Sequence, residues 1–523
     1  MPSRRHTVPS VLETDEPSPG RLRLLLVVMC LALGLVVGAN SSLSVAQPDI
    51  AAALGASQTQ LTWVINAYAL AFAALLLPAG IAADRYGRRT LMAAGLALFG
   101  VFSLVAGYAG SPNLLIAERV LAGGGATFVM PATLSVLVDT YPEQRREFAV
   151  SVWAGVTGAG ALLGVLLSGV LLHLFWWGSI EVVYGVAGLV LIPLIVMVVP
   201  NTRNAELSLD ARGGALAAVG LAGIVYGVIE GPDRGWGAPL TLAGLVAGGG
   251  ALALVVLAEL RSSDPMLDVR LFGSRGLSAG SLLVLLLSLA VFGFFLLGPQ
   301  FLQFVGGYDT LGAALRLLPF AVGIGPGSAL SPGLTARFGA RWTGSFGAGT
   351  MGAGLAIFAV TARLDYWHFA IALVVTAFGM GVALTSGTTL ILAGLPADRR
   401  TLSSAVNDVT REVGSAIGAA VLGSLLVTLY GNRIAPALAG LPGPVADAAR
   451  NGIGATLGAA GQAGPRGPQL VAAAQDSFTH GYQGAMLVGA ALLLATAILI
   501  GLLAPARLGR EQAAQPAMER AAA

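Results

Sequence analysis

Long apolar stretches alternate with short polar ones along almost the whole chain. A transmembrane helix needs about 20 mostly apolar residues to cross the hydrocarbon core. The stretches that come close to this length are 24–46, 60–82, 90–109, 113–138, 148–173, 177–199, 213–230, 238–259, 278–303, 311–334, 342–362, 366–394, 403–429 and 480–504. The pattern therefore predicts an all-α integral membrane protein with fourteen transmembrane helices, called spans 1 to 14 below.

Polar segments divide these spans into groups of six, two and six. They predict a cytoplasmic tail at 1–22, an N-terminal six-helix bundle at 23–199, a two-helix central insert at 200–277, a C-terminal six-helix bundle at 278–505 and a second tail at 506–523. The segment 431–478 is rich in glycine, alanine and proline, and we expect an external loop with a short helix around 444–460.

Charge is scarce in this chain. The 523 residues include 29 basic and 26 acidic side chains, 11% of the total, with a net charge of +3, whereas soluble domains carry about 25% charged residues. A soluble enzyme and a disordered regulator are therefore excluded, and the net charge is too small to indicate nucleic-acid binding. With one cysteine, no Cys/His cluster and no nucleotide-binding loop, we expect no metal, no cofactor and no enzymatic activity.

The arginines are distributed unequally between the two sides of the membrane. If the N-terminus is cytoplasmic, 21 arginines fall in cytoplasmic tails and loops, whereas the short external loops carry only Arg234 and Arg363. Because arginine-rich loops remain in the cytoplasm, we expect both termini to be cytoplasmic. Every Lys/Arg position is arginine, a composition typical of GC-rich bacterial genomes, so we expect a bacterial plasma membrane.

A short motif occurs twice at equivalent places. Residues 85–89 read RYGRR after span 2, and residues 337–341 read RFGAR after span 10, 252 residues later. Duplicated six-helix halves are typical of transporters with a central site between the halves that is exposed alternately to each side. The grouping of the spans and the repeat therefore predict the same architecture.

Three segments resemble signatures of one transporter family. Residues 80–89 (GIAADRYGRR) resemble the loop 2–3 motif of the major facilitator superfamily, with matches at Gly80, Asp84, Arg85, Gly87, Arg88 and Arg89. Residues 118–134 resemble its span 4 motif, and residues 404–424 resemble the span 13 signature of its fourteen-helix drug:H+ antiporters. The resemblance implies a major facilitator fold with two six-helix bundles and two extra central helices.

The resemblance also implies a function. A member of this family would export amphipathic drugs, antibiotics or metabolites across the plasma membrane by alternating access, coupled to proton influx. The matched loop 2–3 residues would form a cytoplasmic latch that holds the outward-open state; alternatively, their charges only set the topology. A dedicated exporter of a single antibiotic or metabolite and a transport-inactive membrane sensor remain open alternatives. We expect a monomer whose partners are a small amphipathic molecule, protons and the lipid bilayer.

This chain departs from the family pattern at several positions. Family members often carry acids in spans 1 and 2, where this chain has Ala39 and Asn66. In the span 5 motif, Val165 and Ser168 replace a proline and a glycine. Loss of the proline removes a source of kinking, so we expect a straighter helix. Closely spaced glycines in spans 5 and 13 are expected to allow close packing where the two halves meet.

Span 13 carries the leading candidates for proton coupling, Asp408 and Glu412. Residues four apart share one face of a helix. Two nearby carboxylates do not both ionise readily, which suits a group that carries a proton. The resemblance implies the same role, because the family has an acid pair at these positions. Alternatively, the pair lies in the cytoplasmic interface with Arg411 neutralising Asp408.

Arg119 and Glu118 in span 4 are further proton-coupling candidates. Arg119 lies about 9 Å inside the span at 1.5 Å per residue, and charges at such depth are costly. The resemblance implies a role for Arg119 in proton transfer or cavity shape, and a structural ion pair with an acid of another helix is the alternative. Glu118 is either a proton site or an interface residue, whereas we expect Glu181 and Glu230 to be solvated near the outer span ends.

A substrate cavity in such a protein needs scattered polar groups on otherwise apolar helices. Candidates occur in spans 1, 2 and 9, and some of them are expected to bond to neighbouring backbones instead. The cavity candidates are Asn40, Ser41, Ser44, Asn66, Tyr68, Gln300 and Gln303.

Overall fold

The computed structural model describes residues 18–201, 211–262, 269–362, 365–395 and 402–505. Its α-helices are α1 (Pro19–Ser42), α2 (Gln47–Leu54), α3 (Gln58–Tyr86), α4 (Arg88–Ala106), α5 (Pro112–Ala126), α6 (Met130–Thr140), α7 (Glu143–Leu174), α8 (Gly178–Val198), α9 (Ala211–Arg234), α10 (Pro239–Arg261), α11 (Arg275–Phe304), α12 (Thr310–Arg316), α13 (Pro319–Thr361), α14 (Tyr366–Ala393), α15 (Leu402–Ile434), α16 (Gly443–Arg450), α17 (Ile453–Ala459) and α18 (Gly467–Leu503). The described residues contain no strand. The predicted tail 506–523 and residues 1–17 of the first tail lie outside the described residues.

Twelve stretches of the described chain are long and apolar enough to cross a membrane, so the predicted count of fourteen is not confirmed. Two places account for the lower number. α12 and α13 form one stretch, Thr310–Thr361, which joins predicted spans 10 and 11. In α7, a 32-residue helix without an internal proline, several side chains before Gly160 lie outside the described residues, so only the apolar stretch Gly160–Leu174 is counted.

The two copies of the repeated motif occupy the same kind of turn. Gly87 between α3 and α4 has a φ of 110°, and Gly339 inside α13 has a φ of 83°. Glycine adopts positive φ at little cost, so each copy can turn the chain sharply between two helices. Gly87 abuts Asn201, which follows α8, and Arg341 donates a hydrogen bond to the Gly501 carbonyl near the end of α18. In both halves, the motif therefore also contacts the end of the last helix or the residues just after it.

Glycines on α15 bring helices into backbone contact. A Cβ at Gly414 or Gly418 would collide with the backbone carbonyl oxygen of Leu285 or Leu289 on α11. Such close approach is how small residues stabilise helix pairs in membranes. We expected these glycines to pack where the halves meet, but α11 belongs to the same half as α15. Of this set, Gly423 alone faces α3 in the N-terminal half.

The helices of the predicted insert, α9 and α10, differ in their surroundings. α9 packs against both α3 and α15 through a cluster that includes Leu70, Val225 and Ala416. Trp63 Nε1 donates a 2.8 Å hydrogen bond to Glu230 Oε1, so Glu230 is half-buried rather than solvated as expected. α10 packs mainly on α9 and exposes most of its apolar side chains, as a lipid-facing helix does.

The segment predicted as an external loop, 431–478, is mostly helical. It contains the end of α15, both short helices α16 and α17, and the first turns of α18, which starts at Gly467 rather than near residue 480. α16 and α17 lie where a short helix was predicted. The Gln58 N–H donates a 2.8 Å hydrogen bond to the Asn451 carbonyl, which joins this segment to the start of α3.

We expect the backbone contact at Gly418 to be measurable as thermal stability. Gly418→Ala places a Cβ against the α11 backbone, and overpacking costs about 1–3 kcal/mol. Gly431→Ala is a matched control on α15, because no atom of the described residues lies within 4 Å of its new Cβ. In thermal unfolding of the purified protein in detergent, only Gly418→Ala should lower the Tm. Equal Tm values for the two variants would contradict this packing.

Candidate functional site

Arg119 of α5 is fully buried among α1, α3 and α8. Its Nη1 donates to the Ala39 carbonyl and to Glu181 Oε1, both at 3.3 Å, and its Nε donates to the Val64 carbonyl at 3.4 Å. The guanidinium carbon lies 4.5 Å from the ring centre of Tyr68. An arginine in this position needs such partners, because the desolvation of an unpaired charge costs several kcal/mol.

Glu181 is the counter-ion that the sequence analysis missed. A solvated carboxylate was expected, but Glu181 is 1% exposed and pairs with Arg119. Ala39 of α1 offers only its backbone carbonyl to Arg119, and the negative charge comes from α8. The sequence did contain a signal for this pair. Few acidic residues lie within the predicted spans, and a buried arginine needs one of them as its counter-ion. Of the two expected roles for Arg119, the ion pair is present.

Glu118, the neighbour of Arg119, is also buried, at 3% exposure. Neither of its carboxylate oxygens has a hydrogen-bond partner among the described residues. The same is true of Arg119 Nη2 and Glu181 Oε2. Buried polar atoms without partners cost about 1–3 kcal/mol each, so this part of the N-terminal half carries unsatisfied polar groups beside an ion pair.

A second charged cluster, formed by Asp408, Arg411 and Glu412, lies on α15. Arg411 Nη2 is 3.2 Å from Glu412 Oε1, 3.7 Å from Asp408 Oδ1 and 3.8 Å from Met130 Sδ on α6. Asp408 and Glu412 therefore share Arg411. The arginine does not serve Asp408 only, as the alternative interpretation expected. When all three groups are ionised, the cluster has one net negative charge. No group of three histidine, cysteine or acidic side chains in the described ranges is placed to hold a metal ion.

Polar side chains join the two halves at the end of the molecule that carries α2. Gln300 Nε2 donates to Gln47 Oε1 at 2.6 Å, and Gln303 Nε2 donates to a backbone carbonyl between α1 and α2 at 2.8 Å. Thr310 Oγ1 donates to Asp49 Oδ2 at 3.1 Å. Burial raises the pKa of the Asp49 carboxyl, and the Thr310 hydrogen bond opposes that effect. We call Gln47, Asp49, Gln300, Gln303 and Thr310 the polar seam.

The predicted cavity residues fall into different environments. Gln300 and Gln303 belong to the polar seam, and Asn66 Nδ2 links the halves again by donating to the Ala416 carbonyl at 2.9 Å. The hydroxyls of Ser41, Ser44 and Tyr68 donate to the backbone carbonyls of Ala161, Ser41 and Val36, and Asn40 is half-buried. Three of the seven residues therefore lie where the two halves meet.

The predicted latch lies at the opposite end of the N-terminal half from α2. Arg88 at the start of α4 forms an ion pair with Asp139 at the end of α6. Of the other motif residues, Gly87 makes the turn described above, and Arg85 and Arg89 are half-buried. No atom of the described residues lies within 4 Å of a Cβ built on Gly80, and the side chain of Asp84 lies outside the described residues. The motif therefore connects α4 to α6 within one half.

The Arg119–Glu181 ion pair can be tested by a double-mutant cycle. Glu181→Leu alone leaves a buried guanidinium without its counter-ion, and we expect a loss of about 3–5 kcal/mol. Combining it with Arg119→Met removes both charges and should recover much of that loss. Thermal unfolding in detergent measures both effects. A double variant no more stable than Glu181→Leu would show that the two charges are not coupled.

Comparisons with known proteins agree with this architecture. Residues 29–419 match the Major Facilitator Superfamily. The methyl viologen resistance protein SmvA of Salmonella typhimurium is 30% identical over 485 residues, which cover 91% of this chain and 97% of that protein. The multidrug efflux pump LfrA of Mycolicibacterium smegmatis is 31% identical over 501 residues, which cover 92% and 96%.

A solved structure has the same fold. It is a bacterial homologue of the human lysosomal transporter Spinster in an inward-facing, occupied conformation, and it matches with a TM-score of 0.65 and 18% identity over 93% of this chain and 98% of that one. The relatives are membrane transporters and not enzymes. This chain is likewise a multi-pass membrane protein, and it belongs to the major facilitator superfamily.

Proposed function

We propose that this protein exports amphipathic drugs, antibiotics or metabolites across a bacterial plasma membrane, by alternating access and in exchange for entering protons. Its relatives include proteins named for drug resistance and efflux. The polar seam is the observation that carries the proposal. Most of its hydrogen bonds join neutral side chains or backbone of opposite halves, and water can replace each of them when the halves separate.

The proposal includes an orientation and a number of crossings. The arginine distribution favours cytoplasmic termini, which puts the polar seam on the external side and the latch on the cytoplasmic side. Fourteen crossings result if α13 crosses twice, turning at Gly339, and α7 crosses once along its 32 residues. In this orientation the halves touch at the external end, so the conformation is closed to the outside.

Proton exchange requires a site that a proton and a substrate occupy alternately. The cluster on α15 has two carboxylates and one guanidinium, so one proton would make it neutral. A cationic group on the substrate would neutralise it equally well, and the two would then compete for the same charge. Arg411 contacts Met130 of the other half, so rocking of the halves would change the surroundings of the cluster.

The test is substrate-dependent proton movement in inverted membrane vesicles, with methyl viologen as the probe. Glu412→Gln and Asp408→Asn remove one ionisable group each while keeping side-chain size. We expect each to reduce probe-dependent proton movement by about tenfold or more, because positioned proton-transfer groups contribute at least that much.

A matched control is Asp447→Asn, which changes an exposed acid of α16 that pairs with Arg450. This variant should move protons as the wild-type protein does. If Glu412→Gln and Asp408→Asn both transport methyl viologen and couple normally, the assignment of the proton site to α15 is wrong.

A further inference from the structure

Buried polar atoms without hydrogen-bond partners are concentrated inside the N-terminal half, between α4, α5 and α8. Among the described residues they include Ser103 Oγ, both carboxylate oxygens of Glu118, Arg119 Nη2 and Glu181 Oε2. All four side chains are at most 3% exposed. These groups also act on one another: the Ser103 hydroxyl faces the Glu181 carboxylate without completing a hydrogen bond, and the charge of Glu181 acts on Glu118.

The group lies close to the end of the molecule that carries α2. Ser103 is three residues from the end of α4, Glu181 is three residues from the start of α8, and Glu118 is six residues from the start of α5. At 1.5 Å per residue these positions lie about 5–9 Å below the helix ends. The polar seam is formed by other elements, namely α2, α11 and α12, so the two sets of polar groups are separate.

So many buried polar atoms without hydrogen-bond partners in one small region need an explanation. Each costs about 1–3 kcal/mol, and a purely structural ion pair needs neither the Glu118 carboxylate nor the Ser103 hydroxyl. Water satisfies such groups when a buried site is polar and offers several partners. Carboxylates joined by a hydroxyl and water can also pass a proton between them, because each carboxylate accepts and releases one.

We propose that Glu118, Ser103 and Glu181 form a proton-entry path within the N-terminal half that leads to Arg119 and is separate from the polar seam. The inference rests on the proposed proton-coupled export. A proton from external water binds Glu118 and passes, with Ser103 and water as relays, to Glu181. Neutral Glu181 no longer compensates the guanidinium of Arg119, so the half gains one positive charge until the proton moves on.

Other titratable groups face this path from the helices packed against it. Tyr68 of α3 lies under the Arg119 guanidinium, and the charges of Arg119 and Glu181 also act on Tyr184 of α8. From the C-terminal half, the charge of Glu412 acts on Tyr68. Tyr68 therefore feels the charges of both Arg119 and the α15 cluster, where the proposed competition with substrate takes place.

The experiment measures two activities of the purified full-length protein in liposomes. The first is proton flux driven by methyl viologen, and the second is exchange of labelled for unlabelled methyl viologen at equal pH, which needs no net proton movement. Glu118→Gln and Ser103→Ala should each lower the proton flux by about tenfold or more. Exchange should stay within about twofold of the wild-type rate, because the substrate site is intact.

Ser281→Ala is the matched control, since Ser281 is also a buried hydroxyl without a hydrogen-bond partner in the described part of the chain but lies on α11 in the other half. It should change neither activity. Normal proton flux in Glu118→Gln and Ser103→Ala would overturn the path, and so would a parallel loss of flux and exchange, which indicates a structural role. If the wild-type protein shows exchange without any proton flux, the proposed coupling fails and the path fails with it.

Discussion

The cost of burying charge in an apolar interior is the constraint on which this structure depends. Arg119 is completely buried, and its position is stable only because a carboxylate from α8, two backbone carbonyls and the Tyr68 ring surround it. Position 39 of α1 is alanine and carries no charge, so the counter-ion comes from another helix. Glu181 supplies the negative charge from α8. Contacts from α1, α3 and α8 therefore meet at the guanidinium of Arg119 on α5.

Apolar packing occurs both within each half and between the halves, where the polar seam adds side-chain hydrogen bonds. Within the C-terminal half, glycines such as Gly418 bring helix backbones together, and separating them would lose extensive packing. Between the halves, the polar seam uses side-chain hydrogen bonds such as Gln47–Gln300, each worth about 0.5–1.5 kcal/mol net. In the proposed alternating access, the halves separate at the polar seam, and substrate and protons bias the two states.

The sequence predicted the class of fold because apolar length and arginine asymmetry report directly on the bilayer. The repeated motif also predicted equivalent loops after spans 2 and 10, and the chain turns at Gly87 and Gly339 in those loops. The predictions were wrong where the outcome depends on which neighbour a side chain faces, because hydropathy does not report that. We predicted a loop at the start of α18 because residues 431–478 are rich in glycine, alanine and proline, yet Gln475 donates to the Phe304 carbonyl and Asp476 pairs with Arg433. Glu181 was read as solvated, because position along a helix does not reveal which neighbour a side chain faces.

The central claim is that substrate leaves as protons enter, and uptake driven by an imposed pH gradient tests it most directly. Liposomes that contain the purified protein are prepared with an acidic interior and diluted into neutral buffer with methyl viologen. The account predicts that methyl viologen accumulates inside as protons leave, and that an ionophore which collapses the pH gradient abolishes the accumulation. Accumulation of the same size with and without the gradient would contradict it.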